Sequence, residues 1–176
     1  MTKSYGVRND NRAEVRLMSK RTVDETGERE EFRKKHLYEG MSFKNLRAHP
    51  VHQRKLRGSA SAHFALSGNK NLDAHISELP PGGHNKRHRH INEAIIYILS
   101  GRGYSIVQNG DEPPVRIDWQ EGDMFSPPLW WWHQHFNTDP QRPARYLAVT
   151  NAPLMITMGL FKKEQAVEDR EGETGR

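Results

Sequence analysis

From residue 59 onward, short runs of apolar and β-branched residues alternate with clusters of turn-forming residues. Alternation of apolar and polar positions is typical of strands that bury one face. The separating clusters SGN, PPGG, GRG, NGDEPP, EG and TDPQRP are rich in residues that turns require. The pattern predicts strands at SAHFAL, NLDAHISEL, EAIIYILS, GYSIVQ, VRIDW, DMFSP, WWWHQHF, RYLAVTN and MITMGLF. The Asn109–Gly110 pair predicts a two-residue hairpin turn.

Short strands without helical periodicity predict an all-β sandwich or barrel over residues 59–161. Residues 1–58 form a charged N-terminal arm, whose proline-free part predicts helical pieces interrupted near Gly27 and ending at Gly40. We expect this arm either to pack on a partner subunit or to extend into solvent. Residues 162–176 are charged and predict a disordered tail.

The composition narrows the class of protein. A chain of 176 residues is long enough for one domain with extensions. It contains no apolar run near the length of a membrane span and no apolar stretch typical of a secretory signal. Cysteine is absent, which excludes disulfides, thiolate metal sites and cysteine nucleophiles. We therefore expect a cytoplasmic protein without membrane contacts.

The net charge of +5 is unevenly distributed along the chain. Residues 1–57 hold 15 Lys and Arg against 8 Asp and Glu, whereas the remainder holds 12 against 14. The predicted β domain is therefore mildly acidic, unlike a domain that grips nucleic-acid phosphates. The KRHRH run is a possible basic patch, but we expect no nucleic-acid partner.

Five of the ten histidines fall in two short stretches, each with a His-x-His pattern. They are His84, His88 and His90, followed by His133 and His135. On a strand, His-x-His projects both rings to one side, so that two neutral nitrogens can meet one metal ion. A third histidine from another strand would complete a three-histidine site. The alternative is a basic turn beside an aromatic strand that packs in the core.

The segments GGHNKRHRHINEAIIYILSG and GDMFSPPLWWWHQHFN resemble the two sequence motifs of the cupin superfamily. The matching positions are Gly82, His88, His90 and Gly101 in the first motif, and Gly122, Pro128, His133 and Asn137 in the second. Trp130 stands where the family usually has glycine. The resemblance covers about residues 60–160 and implies the double-stranded β-helix, a jelly-roll barrel.

The family's first motif also contains a glutamate, and that position here is Ala94. Glu93 is one residue too early, and strand parity turns it to the face opposite His88 and His90 unless a bulge intervenes. We therefore expect His88, His90 and His133 to hold a metal without a protein carboxylate.

The three-histidine set with alanine, together with the P-x-W-x-W-H-x-H-x-N run, is similar to gentisate 1,2-dioxygenase and its relatives. This resemblance implies Fe(II) as the cofactor, with Mn, Ni, Cu or Zn as alternatives. It also implies a phenolic substrate that binds the metal through two oxygens, with O2 at a neighbouring position. His135, on the same face as His133, would then act as an acid or base, or else be a buried structural histidine.

The resemblance implies a substrate pocket whose wall includes Trp131. The large gentisate enzymes hold the substrate carboxylate with an arginine shortly after His-x-His, but that position here is Ile96. Candidate substitutes are Arg102 and Arg145, and Tyr104 is a further candidate for substrate contact. Asn137 either supports a metal ligand or closes a turn.

Three function classes share these residues. The first is a metal-dependent dioxygenase that uses Fe(II) and O2 to cleave a small phenolic or other chelating substrate. The second is a non-oxidative isomerase, cyclase or lyase that uses the ion as a Lewis acid. The third is a small-molecule binding module without catalysis. We expect a homodimer in each case.

Overall fold

A computed structural model describes residues 22–167 of the chain. The strands are β1 (Thr22–Asp24), β2 (Leu37–Gly40), β3 (His52–Arg54), β4 (Ser59–Leu66), β5 (Asp73–Leu79), β6 (His88–His90), β7 (Ala94–Ser100), β8 (Arg102–Gln108), β9 (Val115–Gln120), β10 (Met124–Phe125), β11 (Trp132–Asn137), β12 (Ala144–Thr150) and β13 (Lys163–Ala166). The helices are α1 (Thr26–His36) and α2 (Ala152–Thr157), with a short 3₁₀ turn at Leu46–Ala48.

The strands form two sheets that face each other as a jelly-roll. One sheet has the order β1-β13-β6-β11-β8-β9, and the other has the order β10-β7-β12-β5-β4-β2, with β3 paired to β4. Neighbouring strands are antiparallel, apart from the parallel pair of β2 and β4. The prediction of an all-β jelly-roll is confirmed.

The interior of the barrel is divided along its length. One half is an apolar core made of Leu79, Ile96, Ile98, Trp119, Ala144, Tyr146 and Ala148. Toward the other end, β6 and β11 place polar rings inside the barrel, and both His88 and His133 are only 2% exposed. Strict alternation along β11, with every second residue buried, produces this arrangement.

Two glycines at strand connections show how the turns are built. Gly101, the last matching position of the first motif, links β7 to β8 at a φ of +88°. A Cβ there would lie 2.7 Å from the Cβ of Ala144, so both the conformation and the space require glycine. Gly110 also has a positive φ, but the connection from β8 to β9 spans residues 109–114. The predicted two-residue turn is wrong because Pro113 and Pro114 cannot donate hydrogen bonds to a strand ladder.

The N-terminal arm packs on its own barrel from residue 22 onward. Strands β2 and β3 both pair with β4, and β1 pairs with β13. The outer face of the β4–β5 pair is apolar, and residues of the arm cover it; the cluster comprises Ala62, Phe64, Ala74 and Ile76 under Tyr38, Phe43, Leu46 and Val51. Helix α1 begins at Thr26, next to Gly27 where the sequence predicts a break, and it ends at His36 rather than at the predicted Gly40, because residues 37–40 form β2. Residues 1–21 lie outside the described part.

Two predictions for the end of the chain are wrong. The MITMGLF run is not a strand, because helix α2 begins at Ala152 and has a proline in its first turn, where the missing N–H has no helical partner to lose. Strand β13 occupies the start of the predicted disordered tail, since Lys163 and Gln165 alternate into the barrel and pair with β6. The rest of that tail, from residue 168, lies outside the described residues. Within residues 22–167, no helix has the length and apolar character needed to cross a bilayer.

Candidate metal centre

Three histidines meet inside the barrel. His88 and His90 lie two residues apart on β6, and His133 on the neighbouring β11 is paired directly with His88. One ligand nitrogen of each ring lies within 4.8 Å of the other two. The ring centroid of His133 lies 4.1 Å from that of His88 and 4.7 Å from that of His90. Strand parity thus produces the convergence that the His-x-His spacing predicts.

The hydrogen bonds of these rings fix their tautomers. The Nδ1 atoms of His88, His90 and His133 lie 2.9, 2.7 and 2.9 Å from the backbone carbonyls of Lys86, Asn92 and Trp131, respectively. A carbonyl only accepts, so each Nδ1 carries the proton and each Nε2 keeps a lone pair. This is the state of a metal-binding histidine whose far nitrogen is held by an acceptor.

Burial keeps the three rings neutral. It lowers the pKa of His133 to about 3 and lowers the pKa values of His88 and His90 well below the usual range. Neighbouring cations and imidazoles lower the latter two further. Metal binding therefore requires no proton loss from these rings near neutral pH. The donor set fits a divalent ion that accepts imidazole nitrogen.

No carboxylate belongs to this group among residues 22–167. Glu93 is exposed, and its Oε2 accepts a hydrogen bond of 2.9 Å from Asn151 Nδ2. The neighbouring Ala94 faces the interior and is 5% exposed. The structure therefore places the acidic side chain outside the barrel, on the side that strand parity predicts.

Trp130, in the turn before β11, has a strained backbone conformation. It has a φ of +63°, which a residue with a Cβ rarely adopts, at the position where the family motif has glycine. Its ring is covered by Arg89, whose guanidinium carbon lies 4.4 Å from the ring centroid, and by Lys162 at 4.9 Å. Its N–H donates to the carbonyl of His90 over 3.2 Å. The strained turn thus ties the two histidine strands together.

His135 shares the face of His133 but differs in its hydrogen bonds. Its Nδ1 lies 2.7 Å from Ser105 Oγ, and that same oxygen accepts from Trp119 Nε1 over 2.9 Å. The hydroxyl has one proton and two lone pairs, so while it accepts from the indole it can either donate to His135 Nδ1 or accept from it. In both cases His135 Nδ1 is engaged by a side-chain hydroxyl rather than by a backbone carbonyl, unlike the three converging histidines, and the ring lines the same cavity.

Buried cations form the other side of the cavity. The guanidinium of Arg57 donates to His88 Nε2, and its Nη1 lies 3.1 Å from Glu25 Oε2. Lys163 Nζ lies 3.1 Å from the same oxygen. Burial lowers the pKa of Lys163 well below its usual range and also lowers that of Arg57, and Glu25 opposes both effects. Burial alone would raise the pKa of Glu25, but Arg57 and Lys163 bring it down to about 2.

A second ion group repeats this arrangement. Arg29 Nη2 and Arg33 Nη1 lie 2.9 and 2.7 Å from the same oxygen of Asp73. The other oxygen of Asp73 accepts from Thr150 over 2.6 Å. Arg29 also lines the histidine cavity. Each of the two buried carboxylates is therefore shared by two cations, and this part of the protein carries excess positive charge.

The structure separates the predicted substrate residues from the histidines. Arg102 and Arg145 line a different cavity, of about 710 Å³, at the opposite end of the barrel. The Nε of Arg145 lies 2.5 Å from Glu78 Oε2. Tyr104 lies on the outer face of its sheet, where it stacks on Phe136 with centroids 4.7 Å apart.

Trp131 and Asn137 have positions that spacing alone does not reveal. Trp131 reaches the centre through its carbonyl, which fixes His133, while its half-buried ring is not among the described side chains that line the cavity. Asn137 Nδ2 donates to the carbonyls of Pro80 and Arg142. These bonds close a turn at the end of β11, which is the second of the two roles considered for Asn137.

Sequence reasoning missed the charged side of the cavity. Glu25, Arg29 and Arg57 come from the arm, and Lys163 comes from the predicted tail. In sequence they look like the surface charges that surround them, and no spacing rule connects them. The one useful signal is the alternation of Lys163 and Gln165, which is typical of a strand with one buried face.

Comparisons with known proteins show what this chain is similar to. Residues 75–150 match the family model of the cupin domain. A 5-aminosalicylate 1,2-dioxygenase from Comamonas sp. is 32% identical over 77 residues, which are 44% of this chain and 19% of that protein. A 1-hydroxy-2-naphthoate 1,2-dioxygenase from Nocardioides sp. is 29% identical over 93 residues, which are 53% of this chain and 23% of that protein.

Among solved structures, a salicylate 1,2-dioxygenase variant from Pseudoaminobacter salicylatoxidans in complex with gentisate has a TM-score of 0.54 at 22% identity. The match covers 74% of this chain and 36% of that one. The chain spans 19% and 23% of the curated relatives it matches, so the likeness concerns one domain of longer proteins. Residues 75–150 therefore match the cupin domain in sequence, and the fold is similar to that of a salicylate 1,2-dioxygenase.

Proposed function

We propose that this protein is an Fe(II)-dependent dioxygenase that uses O2 to cleave a small, anionic, metal-chelating aromatic substrate. The observation that carries the proposal is the pairing of three neutral, carboxylate-free histidines with a buried surface of excess positive charge. Support comes from the two curated relatives, whose names give an aminosalicylate and a hydroxynaphthoate as substrates. Both molecules pair a carboxylate with a neighbouring oxygen donor.

In this proposal His88, His90 and His133 hold the metal through Nε2. Their backbone acceptors keep each ring oriented and its lone pair free for the ion. When bound, Fe(II) would supply the redox chemistry that joins a chelated aromatic substrate with O2. Because no protein carboxylate neutralises the ion, an anionic chelator gains more from binding here than at a site with a glutamate.

Arg57 and Lys163 bind the substrate's carboxylate. Both already share one carboxylate, Glu25, so a second anion would relieve the excess charge on this side of the cavity. Arg57 currently donates to the His88 lone pair that a metal would take, so metal binding would release this donor for the substrate. A charge-assisted hydrogen bond of this kind contributes about 1.5–3 kcal/mol.

His135 supplies a proton to the reacting side of the cavity. In this role the hydroxyl of Ser105 donates to Nδ1 and the ring carries its proton on Nε2, and the ring is buried and neutral. A neutral imidazole that donates through Nε2 is suited to stabilise developing negative charge on a substrate oxygen. We expect the active protein to be a homodimer.

The test is oxygen uptake by protein loaded anaerobically with Fe(II). Salicylate, gentisate, 5-aminosalicylate and 1-hydroxy-2-naphthoate are offered in turn, with phenol as an aromatic alcohol that lacks the carboxylate. We expect uptake with at least one hydroxy- or amino-aromatic carboxylate and none with phenol. Metal binding without uptake for any substrate would contradict the oxidative assignment, and uptake with phenol at an equal rate would contradict the role of Arg57 and Lys163.

A further inference from the structure

The cavity at the histidines is too small for an aromatic ligand. Its free volume is about 40 Å³, whereas sites for small molecules commonly have about 300 Å³ or more. A groove of about 750 Å³ lies next to it, between α1 and the end of α2. Arg29 and Phe161 line both the inner cavity and this outer groove. These two side chains therefore stand at the border of both spaces, and displacing either one would widen the connection between them.

The two side chains are held very differently. The guanidinium of Arg29 lies over the ring of Phe161, with 5.2 Å between its central carbon and the ring centroid. Arg29 is anchored by Asp73, which Arg33 and Thr150 also hold. No comparable anchor holds the Phe161 ring within the described part of the chain, where the ring is engaged by this cation–π pair. Displacing the ring is the easier change.

The segment around Phe161 is suited to movement. It joins the six-residue helix α2 to β13 and includes Gly159 at a φ of +70°. Three large apolar side chains on this stretch are exposed, with Ile156, Met158 and Leu160 between 50% and 59% accessible. Few buried contacts and exposed apolar groups are features of segments that open at low free-energy cost.

The outer groove matches an aromatic anion in its chemistry. Leu37, Ile156 and Phe161 give it an apolar wall, and Arg29, Arg33 and Lys34 stand beside it with Glu30 and Glu39. An aromatic ring with a carboxylate can pack against the first set and meet the cations of the second. Arg29 then marks the point at which such an anion leaves the groove for the inner cavity.

We propose that Phe161 is a gate between the outer groove and the histidine cavity, and that Arg29 guides anionic aromatic ligands through it. The identity of the ligand class rests on the proposed function, whereas the gate itself does not. Phe161 swings away from Arg29 to admit the ligand, and the freed guanidinium meets the ligand's negative charge. The residues thus select for size and charge before the metal is reached.

The absence of cysteine allows a test that needs neither metal nor activity. Ala148→Cys places a thiol in the inner cavity, and Ile156→Cys places one in the outer groove as a reference. Each is labelled in full-length, chelator-treated protein by dithiobis-nitrobenzoate, an aromatic dianion, and by methyl methanethiosulfonate, which is small and neutral. The rate ratio of the two reagents is the readout, because global unfolding would expose the thiol to both.

We expect the ratio of the aromatic-reagent rate to the small-reagent rate to be much lower at the inner thiol than at the outer thiol. Phe161→Ala should raise the aromatic rate at the inner thiol about tenfold and change the small-reagent rate less than about twofold. Phe161→Leu keeps an apolar side chain and should give an intermediate rate. Leu160→Ala, an exposed neighbour that lines neither cavity, is the matched control and should have no effect.

Several results would overturn the gate. One is that the inner thiol reacts with the aromatic reagent at an unchanged rate in both Phe161 variants. Another is that these variants raise the rates of both reagents equally. A third is that, with Phe161 intact, the inner thiol already reacts with the aromatic reagent as fast as the outer thiol does. Arg29→Gln should slow the aromatic dianion without slowing the neutral reagent, and equal slowing would contradict its guiding role. If labelling supports the gate while the protein fails to bind metal or consume O2, only the proposed function fails.

Discussion

The cavity has two sides that arise from different kinds of sequence information. The histidine side lies on β6 and β11, where His88, His90 and His133 are placed by residue spacing and by one strand pairing. The cationic side brings together Glu25, Arg57 and Lys163 from three distant parts of the chain. Under the proposed function, the first side would hold the metal and the second would bind the anionic group of the ligand.

The two sides also differ in how they are stabilised. The histidines are neutral, and backbone carbonyls satisfy their Nδ1 protons, so this side is stable without a ligand. The cationic side buries more positive than negative charge, which costs free energy until an anion arrives. Under the proposed function, an anionic ligand would offset this cost when it binds.

The largest expected effect comes from breaking the histidine side. His133→Ala removes one of three lone pairs and should reduce iron content to about a tenth or less, with a loss of activity of about a thousandfold or more. His135→Ala is the matched control, since it removes the same side chain two residues away on the same face. This variant should keep its iron because His135 is not one of the three converging histidines and its Nδ1 is bonded to Ser105 instead.

Elemental analysis of both variants after anaerobic loading decides this prediction, with oxygen uptake as the second measurement. Equal loss of iron from the two variants would contradict the assignment of His133, and not His135, as a metal ligand. Full retention of iron in His133→Ala would contradict the metal centre itself.

The next effect concerns the cationic side in the absence of ligand. Glu25→Gln leaves Arg57 and Lys163 without their shared carboxylate, which should destabilise the fold by about 3 kcal/mol at pH 7. The pKa of Glu25 is about 2 in the folded protein, against 4.5 for an unperturbed glutamate. A lowered folded-state pKa means that this contribution is complete above pH 4.5 and disappears as the pH falls toward 2.

Urea unfolding of the two proteins at several pH values measures the difference. Glu121→Gln, which removes an exposed partner of Arg47, is the control and should cost less than about 1 kcal/mol. A Glu25→Gln difference that stays constant down to pH 3 would contradict the ion group described here.

The contrast between the two sides explains what sequence can and cannot predict. A strand repeats every two residues, so spacing alone places His88 and His90 on one face and Glu93 on the other. Arg57 lies in a turn, and its position depends on the packing of the whole arm against the barrel. The position of Lys163 depends on the pairing of β13 with β6, which no local pattern specifies.

The same distinction applies to the fold. Alternating runs from residue 59 to residue 150 predict most of the barrel strands, because each one buries a face of its own. The prediction for the MITMGLF run fails because a short apolar stretch does not distinguish a strand from a helix by periodicity alone. Arg102 and Arg145 are cations near the motifs in sequence, but they lie at the opposite end of the barrel from the histidines.

The smallest expected effect tests the cationic side directly as a ligand receptor. Arg57→Met keeps much of the side chain's length and leaves Glu25 paired with Lys163, so the fold retains a balanced ion pair. We expect KM for an aromatic carboxylate to rise about tenfold, since one charge-assisted hydrogen bond is lost, while iron content is unchanged.

Arg142→Met is the matched control, because that side chain is 81% exposed at the other end of the barrel and should leave KM unaltered. Steady-state oxygen uptake measures both. A fall in kcat with constant KM would instead show that Arg57 acts on the reaction rather than on binding, and the histidine side would then not be alone in determining the chemistry.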